Sequence, residues 1–419
     1  MPGFTFATGN AKKLLSLPLY ALGGIASLVV SRSDSRWVIG SGAGIGEGAL
    51  ELFRHVRITT TFEVLWLARH EADLAAAEAF GIPAVLATSR EGFFATLRAG
   101  VIVVTHGFGD ANRFANRGAF IVQLWHGIPL KLIQLDSPVT TRIGIPGERY
   151  LRGMLRRAYR RGYRSIGLLP AASESVAIRL RSAFGLSPHQ IAVTGDPRDD
   201  VLSRGTESDR VERARLLLAE RVAFSSLDFD LVPFPRIILY APTWREGDPD
   251  PGAPSPEQWR SIDRYLEESG SLLILRPHPH GVGDYDFGLG SRRVVLLTSA
   301  DLPDVTPILS AIDVLITDFS SIAFDYSLTG GPTLFLAADE DSYTETRGLY
   351  EPYREFSAGR AVRSWDGILD QLARLDSDAE WADRVRDESR ALCARHFAFT
   401  DGRNTERVFA EIIARRSLS

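Results

Sequence analysis

Two adjacent serines, Ser320 and Ser321, stand between an apolar run at residues 314–316 and a segment with helical periodicity. The run predicts a buried strand, so the serines open the helix that follows it. The first turn of a helix presents backbone N–H groups without intrahelical partners, and the helix dipole favours negative charge there. The pair therefore predicts an anion site suited to phosphate. We expect the nearby Asp318 and Asp325 to orient neighbouring groups or to contact the ligand.

A histidine, His126, closes a second predicted strand at residues 120–125. Imidazole titrates near neutral pH, so it can remove a proton from an attacking hydroxyl. Gly127 beside it would allow a substrate to approach the backbone closely. A single histidine is more often structural, but the position at the end of a strand favours a catalytic role.

Another histidine, His278, lies between Pro277 and Pro279 after a further predicted strand. The prolines restrict the loop and hold the ring with little loss of entropy. Once protonated, the ring could donate a hydrogen bond to a diphosphate oxygen. Metal binding by His278 with His280 is the alternative, but no cluster of carboxylates accompanies them. We expect neither a metal nor a cofactor.

Three arginines are candidates for binding phosphate. Arg245 and Thr243 follow a predicted strand, so a guanidinium and a hydroxyl point outward from its carboxyl end. Arg198 lies in a turn from which it could make two hydrogen bonds to a phosphate. An ordinary type I turn with Pro197 at its second position explains the same residues equally well. Arg347 could neutralise phosphate charge.

The composition is that of a globular protein too long for one core. The chain has 419 residues, of which 45% are hydrophobic and 24% charged, and we expect two domains of about 200 residues. A formal net charge of −4 excludes a globally basic nucleic-acid-binding protein. The single cysteine, Cys393, cannot form an intrachain disulfide and fits a reducing cytoplasm.

Predicted strands alternate with predicted helices, which indicates an α/β fold with parallel sheets covered on both faces. We infer two doubly wound, Rossmann-type domains, at residues 32–202 and 203–419, with a ligand cleft between them. Ligands in such sheets bind at the carboxyl ends of the strands, which is where the polar motifs fall.

The first 31 residues form a separate segment. Lys12 and Lys13 precede an apolar stretch, residues 14–30, that is short for a membrane span and is interrupted by Pro18. No small-residue cleavage site of a signal peptide stands out after it. We expect a membrane-associating helix that lies in the surface of a bilayer. A helix packed on its own domain is the alternative.

Two further patterns have more than one explanation. The glycines in residues 41–48 lack the spacing of a dinucleotide-binding loop, so we expect a strand-to-helix turn. Six arginines recur, mostly four residues apart, in the helical segment 151–164. This basic amphipathic helix suits an anionic lipid surface or a polyanionic acceptor. A solvated charged face is the alternative.

Taken together, the motifs resemble the CDP-glycerol glycerophosphotransferase family, the primases and polymerases of wall teichoic acid and related capsule polymers. The similarity covers roughly residues 100–410, and Asp199 and Gly331 depart from it, because the family usually has Asn and Lys there. The motifs that carry it are Trp125-His-Gly-Ile-Pro-Leu-Lys131, Gly195-Asp-Pro-Arg198, Ile238-Leu-Tyr-Ala-Pro-Thr-Trp-Arg245, His278-Pro279, Leu315-Ile-Thr-Asp-Phe-Ser-Ser321 with Phe324-Asp325, Arg347-Gly-Leu-Tyr350, and Asp401-Gly402 with Glu406-Arg407-Val408.

The resemblance implies a GT-B-like fold, with the acceptor domain first and the CDP-donor domain second. It also implies a CDP-glycerol or CDP-ribitol donor, a lipid-linked acceptor, and peripheral attachment to the anionic cytoplasmic face of the cell membrane. His126 and His278 would be essential. The expected reaction is transfer of glycerol phosphate, or a similar polyol phosphate, to a hydroxyl with release of CMP. His126 would be the general base, and Arg245, His278, Ser320 and Ser321 would hold the diphosphate.

Two other classes of function stay open. One is a sugar-nucleotide enzyme of similar architecture, such as a glycosyltransferase or a 2-epimerase. The other is a non-catalytic, membrane-docked protein that binds anionic polymers. A homo-oligomer is also left open.

Overall fold

The computed structural model describes residues 17–138, 140, 149–225, 234–245, 249–277, 285 and 288–417. The chain divides into two compact units. The first consists of residues 1–126, 132–200 and 403–419, and the second of residues 127–131 and 201–402. Each unit contains a parallel β-sheet with helices, which confirms the predicted α/β class. The predicted cleft between the domains stays a prediction.

The sheet of the first unit has seven parallel strands in the order β3-β2-β1-β4-β5-β6-β7. The strands are β1 (Ser33–Ile39), β2 (Glu63–Ala68), β3 (Ala84–Leu86), β4 (Ala99–Val104), β5 (Phe120–Gln123), β6 (Ile166–Ala171) and β7 (Ile191–Val193). The helices up to the end of this sheet are α1 (Leu17–Val29), α2 (Glu47–Thr59), α3 (Glu71–Ala79), α4 (Arg90–Arg98), α5 (Arg149–Tyr163) and α6 (Glu174–Phe184). All six residues of β4 are buried, as expected for a central strand covered on both faces.

The second unit has a five-stranded parallel sheet in the order β10-β9-β8-β11-β12. The strands are β8 (Arg236–Ala241), β9 (Ser271–Leu275), β10 (Val294–Leu296), β11 (Val314–Thr317) and β12 (Thr333–Phe335). The remaining helices, in chain order, are α7 (Asp200–Ser203), α8 (Glu207–Ser225), α9 (Pro256–Ser269), α10 (Ile322–Ser327), α11 (Glu340–Arg347), α12 (Tyr353–Phe356), α13 (Trp365–Ser377), α14 (Ala379–His396) and α15 (Asn404–Ser417).

The C-terminal helix α15 belongs to the first unit, whereas the sequence-based boundary left residues 403–419 in the second domain. Val408 and Ile412 of α15 are buried in the core cluster that contains β1 and β2 side chains. The carboxylate of Asp200 accepts hydrogen bonds from the backbone N–H groups of Asn404 and Thr405, which fixes the start of the helix. The amphipathic pattern of a terminal helix does not reveal which of two cores it covers.

Helix α1 packs against the loop that precedes β5. A Cβ atom at Gly23 would lie 2.0 Å from the carbonyl oxygen of Phe114, so the absence of a side chain permits the contact. The rings of Tyr20 and Phe114 meet edge to face at 4.9 Å. Four other apolar side chains of the helix are 61–80% exposed, those of Leu22, Ile25, Leu28 and Val29. Within the described part of the chain, no helix has the length and apolarity needed to span a bilayer.

Candidate active site

The strand order of each sheet reverses at one point, and polar residues follow both strands that flank it. In the first unit the reversal lies between β1 and β4, and in the second between β8 and β11. The connections at such a point leave in opposite directions and open a crevice at the carboxyl ends of the strands, where ligands of α/β proteins bind. The two reversals therefore define one candidate site in each unit.

Two histidine rings stack at the carboxyl ends of β4 and β5. The ring of His126 lies parallel to that of His106, with a distance of 4.1 Å between the centroids and an angle of 5° between the planes. The indole ring of Trp125 is 4.0 Å from the His126 ring at an angle of 36°. His126 thus contacts two aromatic neighbours and is half-buried.

The loop after β4 is fixed by one buried carboxylate. Asp110 accepts hydrogen bonds from the backbone N–H groups of Thr105, His106 and Gly107 at 3.0, 2.6 and 3.2 Å. Its side chain is 2% exposed, and this burial raises the pKa of the carboxyl, while the three hydrogen bonds oppose the shift. The hydroxyl of Thr105 also lies 2.8 Å from Nδ1 of His106. The position and tilt of the His106 ring are therefore both determined by the loop.

The glycine-rich segment after β1 supports the same ring. A Cβ atom at Gly42 would lie 2.5 Å from the ring of His106, so only glycine fits against it. The backbone N–H of Gly42 donates to the Thr105 hydroxyl at 3.2 Å, and that hydroxyl donates to Ser41 at 3.0 Å. The segment is the strand-to-helix turn that its spacing predicts, and its glycines serve close packing.

The electrostatic surroundings keep His106 neutral at neutral pH. Desolvation by the surrounding protein, and then the positive charges of Arg69 and Arg198, lower the pKa of its imidazole to about 4. Part of the side chain is open to solvent, which weakens the contribution of desolvation. The guanidinium of Arg69 lies 3.7 Å from the buried carboxylate of Asp110.

Arg198 contacts the backbone next to the histidine pair. Its guanidinium donates a hydrogen bond to the carbonyl oxygen of His126, and its side chain is 8% exposed. This contact orients the chain at His126 and adds a positioning role to the phosphate contact expected from sequence. Trp125 has a φ of 66° and Gly127 a φ of 127°. A positive φ is strained for a bulky residue such as Trp, and strain of this kind is concentrated at functional sites.

In the second unit, Arg245 is enclosed by two carboxylates. Its guanidinium donates two hydrogen bonds of 2.7 Å to Asp339, one of 3.0 Å to Asp318 and one of 2.6 Å to the carbonyl of Thr243. Asp318 also accepts the backbone N–H of Thr243 at 2.8 Å, which ties the ends of β8 and β11 together. Most donors of Arg245 are thus used within the protein. These contacts give Arg245 a positioning role and give Asp318 the orienting role that was one of the two expected for it. The phosphate contact predicted for Arg245 stays a prediction.

Aromatic rings complete the environment of this arginine. The guanidinium lies over the ring of Tyr343 at 4.3 Å and over that of Phe319 at 5.5 Å, and the two rings stack at 4.2 Å. Burial works against the charge of Arg245, but hydrogen bonds and attraction from Asp339 and Asp318 raise its pKa. The cation is therefore permanent. The hydroxyl of Thr243 is buried and, among the described residues, has no hydrogen-bond partner.

Two further cations lie at this site. Lys131 pairs with Leu349 in an isolated antiparallel bridge, and its charge interacts with those of Asp318, Arg347 and Arg245. Burial lowers the pKa of Lys131 to about 8, with attraction from Asp318 opposing the shift. Arg347 is the last residue of α11 and is half-buried. Together these side chains suit an anionic ligand.

The serine pair stands where the sequence predicts, but the helix is short. Helix α10 has six residues and begins after Ser321, which makes no side-chain capping bond. The backbone N–H of Ile322 donates to the Ser320 hydroxyl at 3.4 Å, and both serines are half-buried. Asp325 is 3% exposed within this helix, which favours an orienting role over contact with a polyol.

Predicted residues His278 and Pro279, with His280, lie outside the described residues. Among the residues that are described, no group of three or more His, Cys, Asp or Glu side chains is placed to bind a metal.

Sequence reasoning overlooked several residues of these sites. His106 stands in Thr105-His106-Gly107 directly after β4, as His126 stands in Trp125-His126-Gly127 after β5, and this repetition could have revealed it. Lys131 was visible as the last residue of the motif Trp125-His-Gly-Ile-Pro-Leu-Lys131. Asp339 and Asp110 have no comparable signal, because isolated carboxylates in polar segments are common.

Residues 38–414 match the family described as CDP-glycerol:poly(glycerophosphate) glycerophosphotransferase. The chain belongs to this family. The resemblance inferred from the motifs is thereby confirmed, and the match begins at residue 38 rather than near residue 100, so it includes the glycine-rich segment and both histidines of the stack.

Relatives within the family include two proteins of Staphylococcus aureus. The teichoic acid ribitol-phosphate polymerase TarK is 26% identical over 298 residues, which are 70% of this chain and 52% of TarK. The teichoic acid glycerol-phosphate transferase is 26% identical over 295 residues, which are 68% of this chain and 69% of that protein. This chain thus spans about half the length of TarK.

Solved structures confirm the fold. The wall teichoic acid polymerase TagF, in a variant soaked with CDPG, superimposes with a TM-score of 0.71 at 20% identity, covering 99% of this chain and 98% of that one. UDP-GlcNAc 2-epimerase from Neisseria meningitidis gives a TM-score of 0.53 at 12% identity, with coverage of 90% and 99%. At such identities the similarity establishes the fold alone.

Proposed function

We propose that this chain transfers glycerol phosphate, or a similar polyol phosphate such as ribitol phosphate, from a CDP-polyol to a hydroxyl and releases CMP. The acceptor is a lipid-linked molecule or a growing teichoic-acid-like or capsule-like polymer. The family match over residues 38–414 carries the proposal. The names of the relatives, transferases and polymerases of teichoic acid, support it.

His126 is the general base of the proposed reaction. The acceptor oxygen forms a bond to the phosphorus that carries the polyol, and the bond from that phosphorus to the CMP oxygen breaks. The proton of the acceptor hydroxyl moves to the imidazole of His126. A positioned base of this kind contributes about 10²–10⁴ in rate. Its place at the end of β5, with Arg198 on its carbonyl, supports the assignment.

The donor diphosphate binds at the second unit in this proposal. Lys131 and Arg347 offset its charge, Ser320, Ser321 and the Thr243 hydroxyl donate hydrogen bonds, and the predicted His278 stabilises the departing CMP. Preorganised donors and cations of this kind stabilise the transition state of phosphoryl transfer. Arg245 and Asp318 do not contact the diphosphate in this proposal; they hold the ends of β8 and β11, and thereby these groups, in place.

The test is a CMP-release assay with CDP-glycerol or CDP-ribitol, each with and without a lipid-linked acceptor. His126→Ala should lower turnover by about 10²–10⁴ while donor binding stays within about twofold. His189→Ala is the control, because His189 is an exposed histidine remote in sequence from both motifs. Unchanged turnover in His126→Ala would remove the base assignment.

The same assay separates the other functions. Absence of CMP release with both donors, together with protection of the protein from heat by UDP-GlcNAc, would favour a sugar-nucleotide enzyme of related fold. Binding of an anionic polymer without CMP release would favour a non-catalytic protein.

We also infer peripheral attachment to the anionic cytoplasmic face of the cell membrane. Helix α1 exposes a row of apolar side chains, and helix α5 exposes arginines. Apolar side chains enter the interface of a bilayer, and exposed arginines bind anionic headgroups. The exposed arginines of α5 are Arg156, Arg157, Arg160 and Arg161.

Sedimentation with vesicles tests this attachment. Vesicles containing phosphatidylglycerol should bind the protein, and vesicles of phosphatidylcholine alone should bind it less. The pair Leu28→Asp and Val29→Asp should reduce the bound fraction at least several-fold, because a charge in the interface opposes insertion. Ile58→Asp is the control, since Ile58 is 82% exposed on another helix. Equal binding of all variants would contradict the inference.

A further inference from the structure

The histidine stack contains one residue, His106, to which none of the family motifs assigns a role. The centroid of its ring lies 4.1 Å from that of His126, and the planes of the two rings are within 5° of parallel. Neutral aromatic rings prefer offset or edge-to-face contacts, because their like-charged faces repel one another. A near-parallel pair at this distance fits the offset-stacked contact, so the face of one ring lies against the face of the other.

We propose that His106 is a positioning residue for His126: its ring fixes the plane of the His126 imidazole and presents a neutral π face to the imidazolium that forms during the reaction. The inference rests on the function proposed above. When His126 takes the proton of the acceptor hydroxyl, it becomes a cation, and a cation over a neutral aromatic face is attracted to it.

The arrangement works only if His106 itself stays uncharged, because two stacked cations would repel each other. Its surroundings achieve this. The protein around it and two neighbouring guanidinium groups disfavour its protonation. Among the described residues, the charged or titratable groups that contact this residue or act on its charge are His126, Arg69 after β2, Arg198 after β7 and Asp110 in its own loop.

The ring of His106 is also held against rotation and withdrawal. The Thr105 hydroxyl contacts its Nδ1 at 2.8 Å, and Asp110 fixes the backbone on both sides of it. Gly42 forms a wall so close that a Cβ atom would meet the ring at 2.5 Å. Three separate contacts thus set the ring in the one orientation that stacks on His126, which is what a support for a catalytic base requires.

Two substitutions separate the π face from the polar edge. His106→Asn keeps a polar group near Thr105 and removes the ring, whereas His106→Phe keeps the ring and removes the polar edge. We expect His106→Asn to lower kcat by about 10- to 100-fold, with the KM for the CDP-polyol within about twofold of wild type. His106→Phe should restore kcat to within about threefold. His189→Phe, at an exposed histidine, is the control.

A spectroscopic measurement makes the test independent of turnover. In the wild-type protein the ring protons of His126 should be shifted upfield by the ring current of His106, and this shift should persist in His106→Phe and vanish in His106→Asn. Equal chemical shifts in wild type and His106→Asn would overturn the inference, as would an active His106→Asn or an inactive His106→Phe that melts like wild type.

The outcomes also distinguish this inference from the proposed function. If His126→Ala abolishes CMP release while His106→Asn has wild-type kcat, the base assignment stands and the role of His106 is wrong. If His126→Ala releases CMP normally, His126 is not the general base of the proposed reaction.

Discussion

Replacing Arg245 by methionine should destabilise the second unit by about 4 kcal/mol, because it leaves a buried carboxylate without its partner. The side chains of Arg245 and Asp318 are 9% and 4% exposed and lie 3.0 Å apart. Removal of one member of such a buried pair costs about 3–5 kcal/mol. The second partner, Asp339, is 22% exposed, so water can solvate it in part after the substitution. Methionine retains much of the volume, so cavity formation adds little.

Thermal unfolding followed by circular dichroism measures this effect. For a unit of about 150–250 residues each kcal/mol shifts Tm by about 2–4 °C, so Arg245→Met should lower the Tm of the second unit by about 8–16 °C. The matched control is Arg363→Met. Arg363 pairs with Asp341, which lies on α11, the helix that also carries Tyr343 and Arg347. The side chains of Arg363 and Asp341 are 61% and 76% exposed, so we expect no measurable shift of Tm.

A direct contact between Arg245 and substrate phosphate predicts a different result. If Arg245 binds substrate phosphate directly, Arg245→Met should lose CMP release at 25 °C while its Tm stays within about 2 °C of wild type. If Arg245 only positions its neighbours, Arg245→Met should instead lower the Tm strongly, and the loss of CMP release should follow from this loss of stability. Restoration of Tm by a second substitution, Asp318→Asn, would show that the cost comes from the unpaired carboxylate.

Three other substitutions test single contacts. Gly42→Ala should lower kcat about tenfold by pushing the His106 ring from its place, since a Cβ atom would lie 2.5 Å from the ring, whereas Gly109→Ala, with no atom within 4 Å of its Cβ, should have no effect; equal kcat values would contradict the contact. Lys131 has a pKa lowered to about 8 against 10.5 when unfolded, so the unfolded state binds more protons between these values and the free energy of unfolding should rise with pH there. Lys131→Met should abolish that rise in urea titrations. Thr243→Val should leave Tm unchanged or slightly higher, because the buried hydroxyl has no partner among the described residues, and should raise the KM for the CDP-polyol about fivefold if the donor uses it.

The sequence predicted the strands and their polar ends well because both depend on local patterns. Apolar runs of four to six residues, such as the one in β4, can be buried only in a sheet covered on both faces. The carboxyl ends of parallel strands meet at one edge of the sheet, where the polar motifs were predicted to fall. Thr243 and Asp318 lie at this edge and are joined by a 2.8 Å hydrogen bond although 75 positions separate them.

The partners of the charged side chains could not be predicted in the same way. An arginine at the end of a strand has the same appearance in sequence whether it binds a substrate phosphate or an internal carboxylate. Asp339, the main partner of Arg245, is 94 positions away in a polar segment without a motif. The unit to which α15 belongs could not be predicted for a related reason, since an apolar stripe such as the one containing Val408 can cover the core of either unit.

The two reversals of strand order explain why unpredicted partners of charged side chains affect the description of the site more than that of the fold. At each reversal the backbone N–H groups and carbonyls at the ends of two strands point into a crevice, and charged side chains must be held there without collapsing onto one another. An internal carboxylate that fixes a guanidinium, as Asp318 fixes Arg245, keeps a cation in place before any ligand arrives. In the first unit, the ring of His106 after β4 stacks on the ring of His126 after β5. A residue that appears from sequence to contact substrate can thus instead hold other site residues in place. Only the hydrogen-bond partners of its side chain distinguish these two roles.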